Sequence, residues 1–94
     1  MRVIGTKKLD DFSRKHTNVK SALDSWRDEV ENANWEKPQD IKNRYNSADF
    51  LSENRVIFNI KGNHYRLVVK IRYSNGIVLI EWVGTHAEYS KKRF

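Results

Sequence analysis

The spacing of apolar residues along this chain changes from about 3.6 residues to 2 near Arg55, and that change divides it into a helical first half and a stranded second half. Val3-Ile4 reads as a short edge strand ended by Gly5, after which Thr6 is placed to N-cap a helix carrying Leu9, Phe12 and His16 on one side. That helix is expected to stop near Thr17-Asn18. Val19, Ala22, Leu23, Trp26 and Val30 then form a stripe at helical spacing, and Lys20, Asp24, Arg27, Asp28 and Glu31 occupy the opposite side. Asn32 to Asp40 breaks the pattern. Pro38 suits the first turn of a short helix running toward Tyr45, and residues 46–49 read as a loop.

From Arg55 onward the chain predicts three antiparallel strands joined by tight turns. The first puts Val56, Phe58 and Ile60 on one face. After the Lys61-Gly62-Asn63 turn comes a long strand, His64 to Tyr73, whose odd positions Tyr65, Leu67, Val69, Ile71 and Tyr73 are apolar or aromatic. Its even positions include His64, Arg66, Lys70 and Arg72, with Val68 as the exception. Asn75-Gly76 favours a tight turn through positive φ, and Ile77 to Val83 returns with Glu81 as its one charge.

The fold class is therefore α+β, with two N-terminal helices packed on the odd-numbered face of a twisted, mainly antiparallel sheet. The even-numbered face is left to solvent or ligand. It carries a row of cations with almost no acid beside them, and Arg55 and Asn59 of the neighbouring strand point the same way. Such a face suits a phosphodiester backbone, although alternation alone also describes an ordinary half-solvated sheet. Trp26 belongs to the core stripe, and Trp82, opposite in parity to Glu81, is expected to pack under the helices. Trp35 and Tyr45 either stack on a base or cap the core.

Charge sharpens this picture. The net charge is +6, and residues 51–94 hold eight Lys or Arg against three Asp or Glu, so the basic character belongs to the second half. A polyanion is the natural partner of such a surface. With 94 residues, the chain is expected to form a single domain, residues 1–94. It has no Cys, and its three His are not at metal-ligand spacing, so no thiolate zinc site, metal or cofactor is expected. Neither a signal peptide nor a membrane span is legible, and a cytoplasmic location is expected.

Metal-free RNA cleavage needs a cation on the phosphate and groups that take and give protons. Arg66, mid-strand on the open face, is the best phosphate clamp; its bland alternative is an ion pair with Glu81 across the strands. His86 in Gly84-Thr85-His86-Ala87-Glu88-Tyr89 is the imidazole placed for proton transfer, and Tyr89 shares its side of a helical turn. Arg55, Asn59, Lys61, Lys70 and Arg72 are the candidate RNA contacts. His16 and His64 have weaker cases.

Residues 58–69, Phe58-Asn59-Ile60-Lys61-Gly62-Asn63-His64-Tyr65-Arg66-Leu67-Val68-Val69, together with Thr85-His86-Ala87-Glu88-Tyr89, resemble two signature stretches of HigB toxins, a branch of the RelE-like group. Leu23, Trp26, Trp35 and Asp40-Ile41-Lys42 extend the likeness over nearly the whole chain. The resemblance implies a RelE-like fold, ribosome-dependent endonucleolytic cleavage of mRNA as a metal-independent endoribonuclease, and neutralisation by a HigA antitoxin with a helix-turn-helix. By position it assigns Arg66 to the scissile phosphate and His86 and Tyr89 to proton transfer, leaving open which is acid and which base. Ser90 departs from the family pattern, which has Asp there, and the Lys91-Lys92-Arg93-Phe94 tail is shorter than in many members, which argues against a longer C-terminal helix and bears on the strength of the nuclease. Two rival functions share the same basic sheet: a non-catalytic RNA- or ribosome-binding module, and a protein-interaction domain.

Overall fold

A computed structural model of the chain describes residues 1–92, so the end of the basic tail, Arg93 and Phe94, lies outside the described residues. In order, the elements are β1 (Arg2–Ile4), α1 (Thr6–Lys15), a 3-10 turn (Thr17–Val19), α2 (Lys20–Glu31), α3 (Pro38–Arg44), β2 (Asp49–Phe50), β3 (Arg55–Ile60), β4 (Tyr65–Arg72), β5 (Ile77–Thr85) and α4 (His86–Ser90). The strands form one sheet in the order β1-β5-β4-β3-β2; β1 runs parallel to β5 and every other pair is antiparallel. This is the α+β, RelE-like arrangement of helices on an open sheet.

The helical stripes and the alternating strands meet in one core. Leu23, Trp26 and Val30 of α2 are buried against Phe58 of β3, Leu67, Val69 and Ile71 of β4, and Val78 and Ile80 of β5. Each such side chain contributes about 1.5–3 kcal/mol by leaving water, which is why the 3.6 and 2 periods dominate the sequence. Trp35 and Tyr45, left open between stacking and capping, are core residues. Trp35 lies parallel to Phe58 at 6.1 Å, and Tyr45 meets Phe58 edge-on at 5.1 Å. The Tyr45 hydroxyl donates to Glu29 at 2.6 Å. Burial and that bond push the Tyr45 pKa up, while the same bond, with Arg44 beside it, holds the Glu29 carboxyl below its usual range.

Several local expectations are corrected. Gly5, not Thr6, caps α1, because the chain turns from β1 into the helix through a left-handed φ of 88° that favours glycine. A Cβ at Gly5 would also stand 3.2 Å from the Ile80 carbonyl oxygen. α1 ends at Lys15, and the Thr17–Val19 turn leads into α2. The long strand is Tyr65–Arg72, one residue shorter at each end than its alternation suggested. The sheet also has a strand where a loop was expected: β2 was hidden because Asp49 and Phe50 are too few to show a period. In the β4–β5 turn only Gly76 takes a positive φ, 66°, and Asn75 does not.

The largest correction is Trp82. Val69 pairs with Ile80 and Val68 with Trp82, so Glu81 is an extra residue opposite neither partner. This bulge resets the alternation of β5. Before it, Ile77, Leu79 and Glu81 face away from the helices; after it, Trp82 and Gly84 do. Trp82 therefore lies outside the core cluster, on the face that carries Arg66.

Candidate active site

The site forms where β4 begins and β5 ends, on the face away from α1 and α2. Arg66 is the second residue of β4; Asn59 pairs with it on one side and Gly84 on the other. Its guanidinium is half-buried and, among the described residues, makes only long hydrogen bonds, Nη1 to the Asn63 and Tyr65 carbonyl oxygens at 3.4 and 3.5 Å. Among the described residues no carboxylate forms an ion pair with Arg66. The pairing with Glu81 considered from the sequence goes instead to Arg55, whose guanidinium bonds Glu53 at 2.8 Å and approaches Glu81 at 3.6 Å. Arg55 thus reaches across β4 and is engaged with protein acids.

α4 packs against the ends of β4 and β5 and brings the late motif to this corner. The His86 amide donates to the His64 carbonyl oxygen at 3.0 Å, fixing the start of the helix beside the β3–β4 turn. A reciprocal cap closes its first turn: the Glu88 carboxylate accepts from the Thr85 amide at 2.8 Å, and Thr85 Oγ1 accepts from the Glu88 amide at 3.1 Å. These bonds hold the Glu88 carboxyl below its usual range. A Ser/Thr-x-x-Glu spacing was readable in Thr85 to Glu88 and marks Glu88 as the residue that sets α4.

Because the native carboxyl is depressed, its contribution to α4 is complete above the ordinary carboxylate range and is lost as the pH falls through the lowered value. Amide shifts of Thr85 and Glu88 should be flat near neutral pH and move together only in acid. Thr85→Ala should cost about 1 kcal/mol of stability and lower activity through misplacement of His86 and Tyr89; retained activity would show that α4 need not be held.

Trp82 completes the corner. Its indole lies over Gly84 so closely that a Cβ there would meet Cζ2 and Cη2 at 2.4 Å. Its ring is 6.0 Å from that of Tyr89, and the Lys92 ammonium sits 5.8 Å from its centroid. Arg66, Gly84, Trp82 and Tyr89 therefore share one end of the sheet, with His86 exposed at its rim.

The other candidates are spread out. Asn59 is tied by its amide to the Ser47 carbonyl oxygen at 2.9 Å. Lys61 turns toward the helices and donates to the Asn18 carbonyl oxygen at 3.0 Å. Lys70 and Arg72 continue the Arg66 row along β4, separated from it by Val68, which is fully buried. His16 stacks on Phe12 at 4.3 Å, and His64 is exposed in the turn. Among the described residues no three His, Asp or Glu gather in a metal-holding group, and no helix is long and apolar enough to cross a membrane.

A family model described as HigB toxin, the RelE-like toxic component of a toxin-antitoxin system, matches residues 19–92. The chain belongs to the HigB toxin family. The match contains β3, β4, β5 and α4, hence every element of the corner built around Arg66. The mRNA interferase toxin HigB of Escherichia coli strain K12 is 28% identical over 91 residues, covering 95% of this chain and 88% of that one. The mRNA interferase HigB of E. coli O6:H1 is 24% identical over 93 residues, covering 97% and 90%. That of Shigella flexneri is 28% identical over 91 residues, covering 95% and 88%. This HigB-family chain is thus similar to these proteins along nearly its whole length.

Proposed function

We propose that this chain is a ribosome-dependent endoribonuclease that cuts mRNA without a metal ion and so stops translation. The observation that carries the proposal is the Arg66 corner: a half-buried guanidinium with no carboxylate paired to it among the described residues, beside the helix that carries His86 and Tyr89, in a chain of the HigB family. The names of its relatives, which describe mRNA interferases, agree with it.

In this reading Arg66 binds the scissile phosphate and stabilises the charge of the phosphorane. The substrate 2′-oxygen attacks phosphorus and gives up its proton, the bond from phosphorus to the 5′-oxygen breaks, and that oxygen gains a proton. His86 and Tyr89 exchange these two protons. Lys70 extends the cationic track, and Asn59 borders Arg66 on the far side. The antitoxin is a HigA-type helix-turn-helix protein, and the complex forms in the cytoplasm.

The test is induction in a bacterial host of wild type and of a His86→Ala, Tyr89→Phe variant, with mapping of new mRNA ends. Wild type should arrest growth and produce 5′-hydroxyl ends within translated frames, partnered by 2′,3′-cyclic phosphates. The variant should lose most of this cutting. Ends with 5′-phosphate would overturn the chemistry, and identical cutting by both proteins would remove His86 and Tyr89 from it.

A further inference from the structure

The same sheet face carries a second surface at its opposite end. In register across three strands lie Ile4 of β1, Leu79 of β5 and Lys70 of β4, and in the adjoining row Arg2, Ile77 and Arg72. Ile4 and Leu79, 37% and 39% exposed, are two of the large hydrophobic residues most open to solvent. They stand side by side and, with Ile77, line a groove of about 440 Å³ bordered by Lys70, Arg72 and Glu81. Scattered exposed aliphatics are ordinary; adjacent ones on the floor of a charged groove mark an interaction surface.

The rim decides the chemistry. Among the described residues no carboxylate pairs with Arg2, Lys70 or Arg72, and the acid of the groove, Glu81, is turned to Arg55 at 3.6 Å. An RNA backbone would satisfy these cations but leave Ile4, Ile77 and Leu79 against phosphate and sugar, and among the described residues no aromatic side chain lines the groove for a base. A second copy of the chain would cover the aliphatics but set cation against cation. We propose that this end of the sheet is a docking groove for an amphipathic helix of a protein partner, with aliphatic side chains along one face and carboxylates flanking them.

Arg72 is six residues along β4 from Arg66, ~20 Å at the rise of an extended strand, so the far end of the groove stands apart from the Arg66 corner. The inference does not depend on the cleavage chemistry.

The experiment titrates the 15N-labelled chain with a synthetic amphipathic helix of Leu, Ala and Glu, with its twin bearing Lys for Glu, and with a short single-stranded RNA. The glutamate peptide should shift the amides of residues 4, 70, 72, 77 and 79, and added salt should weaken it. Leu79→Asp should reduce its affinity about tenfold or more, and Arg72→Glu, on an exposed side chain that cannot disturb the core, should do the same by charge. Equal binding of both peptides, shifts centred elsewhere, or RNA occupying this groove in preference to the peptide would each overturn the proposal. So would a concentration-dependent dimer that Leu79→Asp abolishes. Cleavage by Leu79→Ala, which trims the groove without placing a charge beside Lys70, should stay at the wild-type rate, which separates failure of this groove from failure of the nuclease assignment.

Discussion

Replacing Arg66 by Ala is expected to lower the rate of mRNA cleavage by about 10²–10³-fold, the effect of removing one preorganised donor from a developing oxyanion. Three observations set the size. Arg66 carries no carboxylate partner among the described residues, so the substrate meets its full charge. It is half-buried, and hence less screened than a surface cation. Its neighbours across the sheet, Asn59 and Gly84, bring no second cation to take its place. Arg66→Lys should recover part of the loss, because an ammonium keeps the charge but not the two parallel N–H groups that match a phosphate. Single-turnover cleavage of ribosome-bound message is the measurement. Thermal stability should change within about 0.5 kcal/mol, as for a substitution outside the core. An unaltered rate would mean that the corner binds RNA without cutting it.

Much of this architecture was legible in the sequence because burial enforces period. The α2 stripe from Val19 to Val30 and the odd positions of β4 are the residues that the core covers. The face of Arg66 was legible for the same reason: a cation mid-strand, out of phase with the apolar residues, has to stand on the other face. What could not be read is what breaks a period or depends on distant partners. The extra residue Glu81 reverses the parity of everything after it, so Trp82 moved from under the helices to the side of Arg66. β1 joins the sheet in parallel beside β5, through pairs more than seventy residues apart, which no local pattern encodes. Arg55 and Lys61 looked equivalent to Lys70 as free cations, yet one is held by Glu53 and Glu81 and the other by the Asn18 carbonyl oxygen. Whether a surface cation is available is decided by which acids the fold brings to it.

Phe58→Ala is expected to be the most destabilising substitution of a single side chain outside the site, costing about 3–5 kcal/mol. The ring is 1% exposed and touches three others: Trp26 at 5.4 Å, Tyr45 at 5.1 Å and Trp35 at 6.1 Å. These come from α2, from the C-terminal cap of α3 and from the segment between those helices. Removing Phe58 therefore opens a cavity where the helical half meets the sheet, and the surrounding indoles are too rigid to collapse into it. Against a total stability of roughly 5–15 kcal/mol for a domain of this kind, the melting temperature should drop by roughly 15–30 °C. Phe58→Leu, which keeps much of the apolar volume but forfeits the ring contacts, should fall between wild type and Ala. Asn59, the next residue, pairs with Arg66, so loosening β3 also unsettles the Arg66 corner. The two substitutions then have opposite signatures. Arg66→Ala should melt like wild type and fail to cut at any temperature, whereas Phe58→Ala should cut when cooled well below its own transition and lose activity as it unfolds. If Phe58→Ala melted with wild type, the packing of Trp26, Trp35 and Tyr45 around that ring would not be what joins the helices to the sheet.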